Sequence, residues 1–169
     1  MTAPHHAFDR HHEQSVVIPA PPEAVFEKAD DHAWLAGHMA SSSWMMGGGT
    51  MTTSIDEGRG QVPGSHITMV GRVLGISLFL DEVVTERVPS RSKTWETVGT
   101  PRLLVIGAYR MGFRLLEEAS SSRFTMFIDY DLPPRHRWIG VLLAGAYARW
   151  CVSQMVSAVS GHFRAPERP

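Results

Sequence analysis

The feature that most constrains this chain lies near its C-terminus. From Trp138 to Phe163 the sequence reads WIGVLLAGAYARWCVSQMVSAVSGHF, with no proline and one certain charge, Arg149. Nothing else in the chain predicts a helix of that length. From about Ser43 to Leu132 the sequence reads as strands and turns. A sheet with one apolar face needs a cover, and this helix is the only element large enough. The expected class is therefore α+β, one long helix laid against one curved antiparallel sheet of about seven strands.

The helix carries its own orientation. Pro133, Pro134 and Arg135 precede it, as prolines do where a strand gives way to a helix. Arg149, Ser153, Ser157, Ser160 and Arg164 recur at helical spacing and predict a wet stripe. Gly140, Ala144, Ala148, Cys151, Met155, Ala158 and His162 form the opposite face, predicted to point at the sheet. Small residues there either let the helix pack close or leave a hollow; we expect a hollow. In the first half the outer side is apolar too, with Ile139, Leu142, Leu143 and Ala146, and a helix apolar all round is usually covered on both sides. The length would also suit a membrane span. Arg149 near its middle argues against one, at a cost of about 2.5–3.5 kcal/mol, so no transmembrane span is expected.

The chain has 169 residues, which favours one domain, with 43% hydrophobic and 20% charged residues and a net charge of −1. That balance gives no basic surface for nucleic acid. Asparagine is absent, which excludes N-glycosylation sequons and asparagine-based catalysis. Cys151 is the only cysteine, so no internal disulfide forms, and its mid-helix, inward position suits a small buried hydrophobe. The N-terminus lacks the apolar run of a signal peptide, and a cytoplasmic location is the expectation.

In chain order, Met1 to His12 is polar and His-rich and reads as a flexible arm. Glu13 to Ala20 is a short strand closed by Pro19, Pro21 and Pro22. Pro22 and Glu23 then open a short helix to about Ala29, and a second runs from His32 to Met39. Asp30, Asp31, His32 and His38 have the chemistry of metal ligands. However, the six-residue step between the histidines puts them on different helix faces, and no metal or cofactor is expected. Strands follow over Trp44–Ile55 with a triple glycine at Gly47 to Gly49, His66–Leu74, Ile76–Val88 and Ser92–Val98. Two further strands alternate most cleanly: Tyr109, Met111, Phe113 and Leu115, then Phe124, Met126, Ile128, Tyr130 and Leu132. Residues 164–169 are a tail.

These residues resemble a known superfamily. VVIPAPPEAVFEKADD is similar to the first strand and helix of the START-related helix-grip (SRPBCC) proteins, DEVVTERVPSRSKTWETVG to their central hairpin, and WIGVLLAGAYARWCVSQMVSAVSG to their C-terminal helix. The likeness spans Glu13 to Phe163, one domain, and is nearest to the polyketide cyclase/dehydrase branch. It implies a ligand between the sheet and the long helix. By position the lining would be Met69, Trp95, Tyr109, Met111, Met126, Ile128, Tyr130, Ala148, Cys151 and Met155; read from the residues alone, the same set is simply core. For acid–base work the sequence offers only Tyr109, Tyr130 and His66, with Glu96, Arg110 and Tyr147 reaching the interior only if register turns them inward.

The resemblance implies binding or transport of a small hydrophobic molecule: a lipid, quinone, aromatic polyketide or steroid-like compound. The runner-up is a polyketide cyclase or dehydratase. A third reading is an accessory protein that touches a partner or membrane through Ile139, Leu142 and Leu143; a homodimer is left open. Polar groups converging on one point in a cavity would favour the enzyme, an all-apolar cavity the carrier, and a filled one the partner role.

Overall fold

The computed structural model describes residues 6–37, 50–73, 75–135 and 137–164. The first strand, β1 (Arg10–Ile18), leads to two short helices, α1 (Pro22–Asp30) and α2 (His32–Leu35). Six strands follow: β2 (Thr50–Ile55), β3 (His66–Val73), β4 (Ile76–Val88), β5 (Ser92–Thr97), β6 (Tyr109–Glu118) and β7 (Ser121–Tyr130). The long helix α3 (Arg137–Phe163) closes the order. All seven strands form one antiparallel sheet in the order β1-β7-β6-β5-β4-β3-β2. The expected curved sheet, two short helices and covering helix are all present. The expected segment Trp44 to Gly49, with its triple glycine, lies outside the described residues, as do Met1 to His5, His38, Met39 and Leu74.

The alternation in β6 and β7 is real. Tyr109, Met111, Phe113 and Leu115 are buried, as are Phe124, Met126, Ile128 and Tyr130. Between them Arg110 lies on the outer face, where its guanidinium donates to Asp129 at 2.7 and 3.0 Å. Strand β1 begins at Arg10, three residues earlier than its apolar pattern predicts, and pairs His11 with Asp129 and His12 with Ile128. Polar contacts explain the extension: His11 and His6 meet the carboxylates of Asp129 and Asp131, each at 2.6 Å. Hydrophobic periodicity does not register contacts of that kind.

Helix α1 starts on Pro22, whose missing N–H suits a first turn. Asp31 caps α2 by accepting from the Trp34 backbone N–H at 3.1 Å. Asp30, one residue earlier, is buried and fully engaged. It takes the guanidinium of Arg87 at 2.8 Å and the ammonium of Lys93 at 3.1 Å, while Lys93 also donates to the Asp30 carbonyl at 2.8 Å. This ion cluster ties the end of α1 to β4 and β5. Burial of Lys93 lowers its pKa, and Asp30 opposes that shift.

The inner stripe of α3 differs from the predicted one. Gly140, Ala144, Ala148, Cys151 and Met155 are buried as expected, but Val152, Val156, Val159 and Ser160 join them. Ala158 is half-buried and His162 is exposed. The stripe advances by four residues per turn through 140, 144, 148, 152 and 156, against 3.6 for the helix, so the contact line rotates by about 40° each turn. A twisted sheet demands such rotation. Ser160, predicted wet, is carried inward by it. The expected outer cover is missing among the described residues: Trp138 (66%), Val141, Leu142 (69%) and Leu143 are exposed. By length and hydropathy α3 also passes for a membrane span, yet its inner stripe is the cover of this sheet.

The small residues at the start of α3 create close packing and no hollow. A Cβ on Gly140 would lie 2.3 Å from Cδ of Pro133 and 3.3 Å from the Val105 carbonyl oxygen. Ala144 and Ala148 are fully buried. Gly140→Ala is a sharp test, because helix propensity alone favours alanine by about 1 kcal/mol. The clash reverses the sign: we expect a net loss of about 1–2 kcal/mol in chemical denaturation. A stabilised variant would contradict the close seating.

Candidate functional site

A row of side chains crosses the inner face of the sheet. Trp95, Met111 and Ile128 are neighbours across β5, β6 and β7, and Met69 lies beside Leu80 across β3 and β4. Above them α3 presents Tyr147, Cys151 and Met155, and α2 with its following turn presents His32 and Ala36. Leu103 and Ile106, from the segment between β5 and β6, complete the wall together with Glu82 and Tyr109. The cavity volume is about 30 Å³, above the roughly 10–15 Å³ that one water needs. A benzene-sized cavity is about 150 Å³. The expected space for a ligand larger than benzene is therefore absent from this conformation; three methionines, Met69, Met111 and Met155, are among its lining residues.

Seven of the residues expected to line the cavity do so: Met69, Trp95, Tyr109, Met111, Ile128, Cys151 and Met155. Met126, Tyr130 and Ala148 are buried but lie outside the lining; on β7, Met126 and Tyr130 flank the lining residue Ile128 on either side. The Tyr130 hydroxyl lies 3.9 Å from where a Cβ on Gly145 would stand. His66 is on the other side of the sheet: it is half-exposed and its Nδ1 sits 3.0 Å from Asp81. Glu96 likewise lies on the outer face with Arg110. Tyr147 does reach the cavity.

Two polar residues in the wall are absent from the sequence-based set. Glu82 occupies an inward position of β4, in step with the buried Leu78, Leu80 and Val84. Period-two parity alone would have found it, since it interrupts an apolar series. His32 is aimed inward by the short helix α2. The Gly60 backbone backs it, where a Cβ would fall 3.0 Å from the His32 Cβ and φ is +67°. Gly60 donates to Ser65 Oγ at 2.8 Å, and Ser65 donates to Asp56 Oδ1 at 2.5 Å. The pattern of strand and helix holds no signal for that placement.

The polar groups converge. Tyr109 donates its hydroxyl to Glu82 Oε1. His32 Nε2 is 3.4 Å from Glu82 Oε2, and the two side chains are 1% and 2% exposed. Glu82 Oε2 and His32 Nδ1 have no hydrogen-bond partner among the described residues. The His32 ring stands edge-on to Trp95 at 5.0 Å. Burial raises the pKa of Tyr109 well above that of a free phenol, and Glu82 adds to the rise. Burial also raises Tyr147, with its neighbour Cys151 second, and pushes the Cys151 thiol up to about 12. No group of His, Cys, Asp and Glu suited to a metal ion occurs among the described residues. Of the expected ligand-type cluster, Asp30 is consumed by its ion pairs and Asp31 by its cap, while His38 lies outside the described residues.

A seven-stranded antiparallel sheet gripped by one long helix, with a lined space between them, is the helix-grip architecture. A family model described as polyketide cyclase / dehydrase and lipid transport matches residues 9–160, and the chain belongs to that family. Among solved structures, a protein from Thermus thermophilus superposes with a TM-score of 0.66 at 16% identity, covering 94% of this chain and 100% of that one. Norcoclaurine synthase from Thalictrum flavum, in complex with dopamine and hydroxybenzaldehyde, gives 0.63 at 14%, covering 90% and 85%. A Mycobacterium smegmatis protein gives 0.61 at 12%, covering 94% and 93%. Comparison with curated proteins finds no match.

Cys151 is buried with its thiol held protonated, so a thiol reagent at pH 8 should label the native protein far more slowly than the unfolded one; fast, complete labelling would contradict its placement. Asp56 accepts from Ser65 and from the backbone of His66 and Gly58, which lowers its pKa below 3.8. Its contribution to stability is full above that value and is lost as pH falls through the lower, folded value. Asp56→Asn should therefore weaken the protein at pH 7 and flatten the acid limb of its stability curve; an unchanged limb would exclude this role.

Proposed function

We propose that the protein binds a small, mostly apolar molecule between the sheet and α3. The observation that carries this reading is the lined space itself, where apolar walls surround a few convergent polar groups. Family membership supports it, as the family's description includes both cyclase or dehydrase activity and lipid transport. Norcoclaurine synthase shares the fold and was solved with two small molecules, dopamine and hydroxybenzaldehyde. The three methionines in the wall are unbranched and flexible, so they can swing aside to admit a ligand that the present volume excludes.

A second reading, acid–base chemistry of the cyclase or dehydratase kind on the bound molecule, is favoured by one observation. A carboxyl and an imidazole, 3.4 Å apart and buried, face the same space. The small volume and the exposed Trp138, Val141 and Leu142 favour a partner-contact role instead. Neither of those features requires a carboxyl in the interior, so the cavity outweighs them.

Titration with N-phenyl-1-naphthylamine tests binding directly. Wild type should bind one dye with micromolar affinity. Met155→Phe fills the void with a stiffer ring and should weaken the dye at least tenfold while the protein stays folded. A wild type that never binds dye, or a variant that binds it equally well, would overturn the cavity as the site.

A further inference from the structure

We infer that the unfilled acceptor of Glu82, beside the His32 ring, is the docking point for a hydroxyl group of the ligand. The inference rests on the ligand-binding reading above and narrows the ligand class to largely apolar molecules carrying a phenol or enol OH.

Glu82 stands where strand parity calls for an apolar residue, and its carboxyl is 2% exposed. Tyr109 engages Oε1 only. Oε2 has His32 Nε2 at 3.4 Å, longer than an ordinary N–H···O bond, and no hydrogen bond among the described residues. An acceptor left unpaired in the interior costs free energy, so such atoms are rare and need a reason. The same chain shows the contrast: buried Asp30 has both carboxylate oxygens bonded, to Arg87 and Lys93. Asp30 is a finished structural tie, whereas Glu82 and His32 line the cavity and each keeps a buried polar atom without a partner among the described residues.

That space is about 30 Å³, enough to admit one hydroxyl-sized group. A hydroxyl both donates and accepts. It can give its proton to Glu82 Oε2 and accept from His32 Nε2. A ketone or ether oxygen only accepts and would leave Oε2 unpaired. A ligand carboxylate or ammonium ion would lose its water to walls formed by Met69, Leu80 and Ile106. Once the hydroxyl is docked, the rest of the molecule displaces Met111 and Met155.

Three probes of one shape test this: naphthalene, 2-methoxynaphthalene and 2-naphthol, each measured by competition with the naphthylamine dye. Wild type should prefer 2-naphthol to the other two by at least tenfold. Glu82→Leu should erase the preference and leave naphthalene within twofold of its wild-type affinity. Glu82→Gln, the conservative variant, should reduce the preference at least threefold and secures the test if the leucine variant does not fold. If all three probes bind wild type alike, or the preference survives in both Glu82 variants, the hydroxyl inference is wrong while ligand binding stands. If no probe binds wild type, the ligand-binding reading fails first and the inference with it.

Discussion

Everything in this molecule depends on how closely α3 can come down on the sheet. Gly140 against Pro133, then Ala144 and Ala148, remove the side-chain bulk that would hold the helix off. The contact line then rotates along the helix, and Val152, Val156 and Val159 take over the packing. The cavity lies beside that seam. Its roof is Tyr147, Cys151 and Met155, on the flank of α3 nearest the inner row of β3 to β7. Close packing at one end of the helix and a small void further along are two consequences of one seating.

Two sets of charge-bearing groups reach the interior, and they differ in completeness. Asp30, Arg87 and Lys93 neutralise and hydrogen-bond each other, and they pin the α1 end to the sheet. A buried ion pair of this kind is retained for placement more than for stability, since the cost of desolvation offsets most of the attraction. Glu82, His32 and Tyr109 share a single hydrogen bond among themselves, and two of their buried polar atoms have no partner among the described residues. The first set ties α1 to the sheet; the second satisfies the Tyr109 hydroxyl and leaves two buried polar atoms over. This difference is the reason to place function at Glu82.

Much of the fold was legible because it follows from periodicity. The strands from His66 to Tyr130 and the helix to Phe163 announce themselves through steps of two and of three to four. Polar structure was less legible. The first residues of β1 are held by His11 and Asp129, which no apolar pattern marks. The small stripe of α3 was read as a hollow because sequence gives residue volumes without the distance between the surfaces that carry them. Met126, Tyr130 and Ala148 share the inward parity of the lining residues, and parity does not say where along the helix and sheet the space opens. His66 faces outward because its neighbours Ile67 and Met69 take the inner face of β3, and its Nδ1 meets Asp81 on the outer one. Glu82 was recoverable from the alternation of Leu78, Leu80 and Val84, whereas His32 owes its place to a turn built on Asp56, Ser65 and Gly60.

The central claim is that a ligand enters beside Glu82 by displacing methionine side chains. The ε-methyl signals of 13C-labelled methionine report this directly in solution. On adding 2-naphthol, the account predicts large shifts at Met69, Met111 and Met155, which line the space, and little change at Met126, which is buried outside it. Binding that moves Met126 alone, or none of these four, would contradict it.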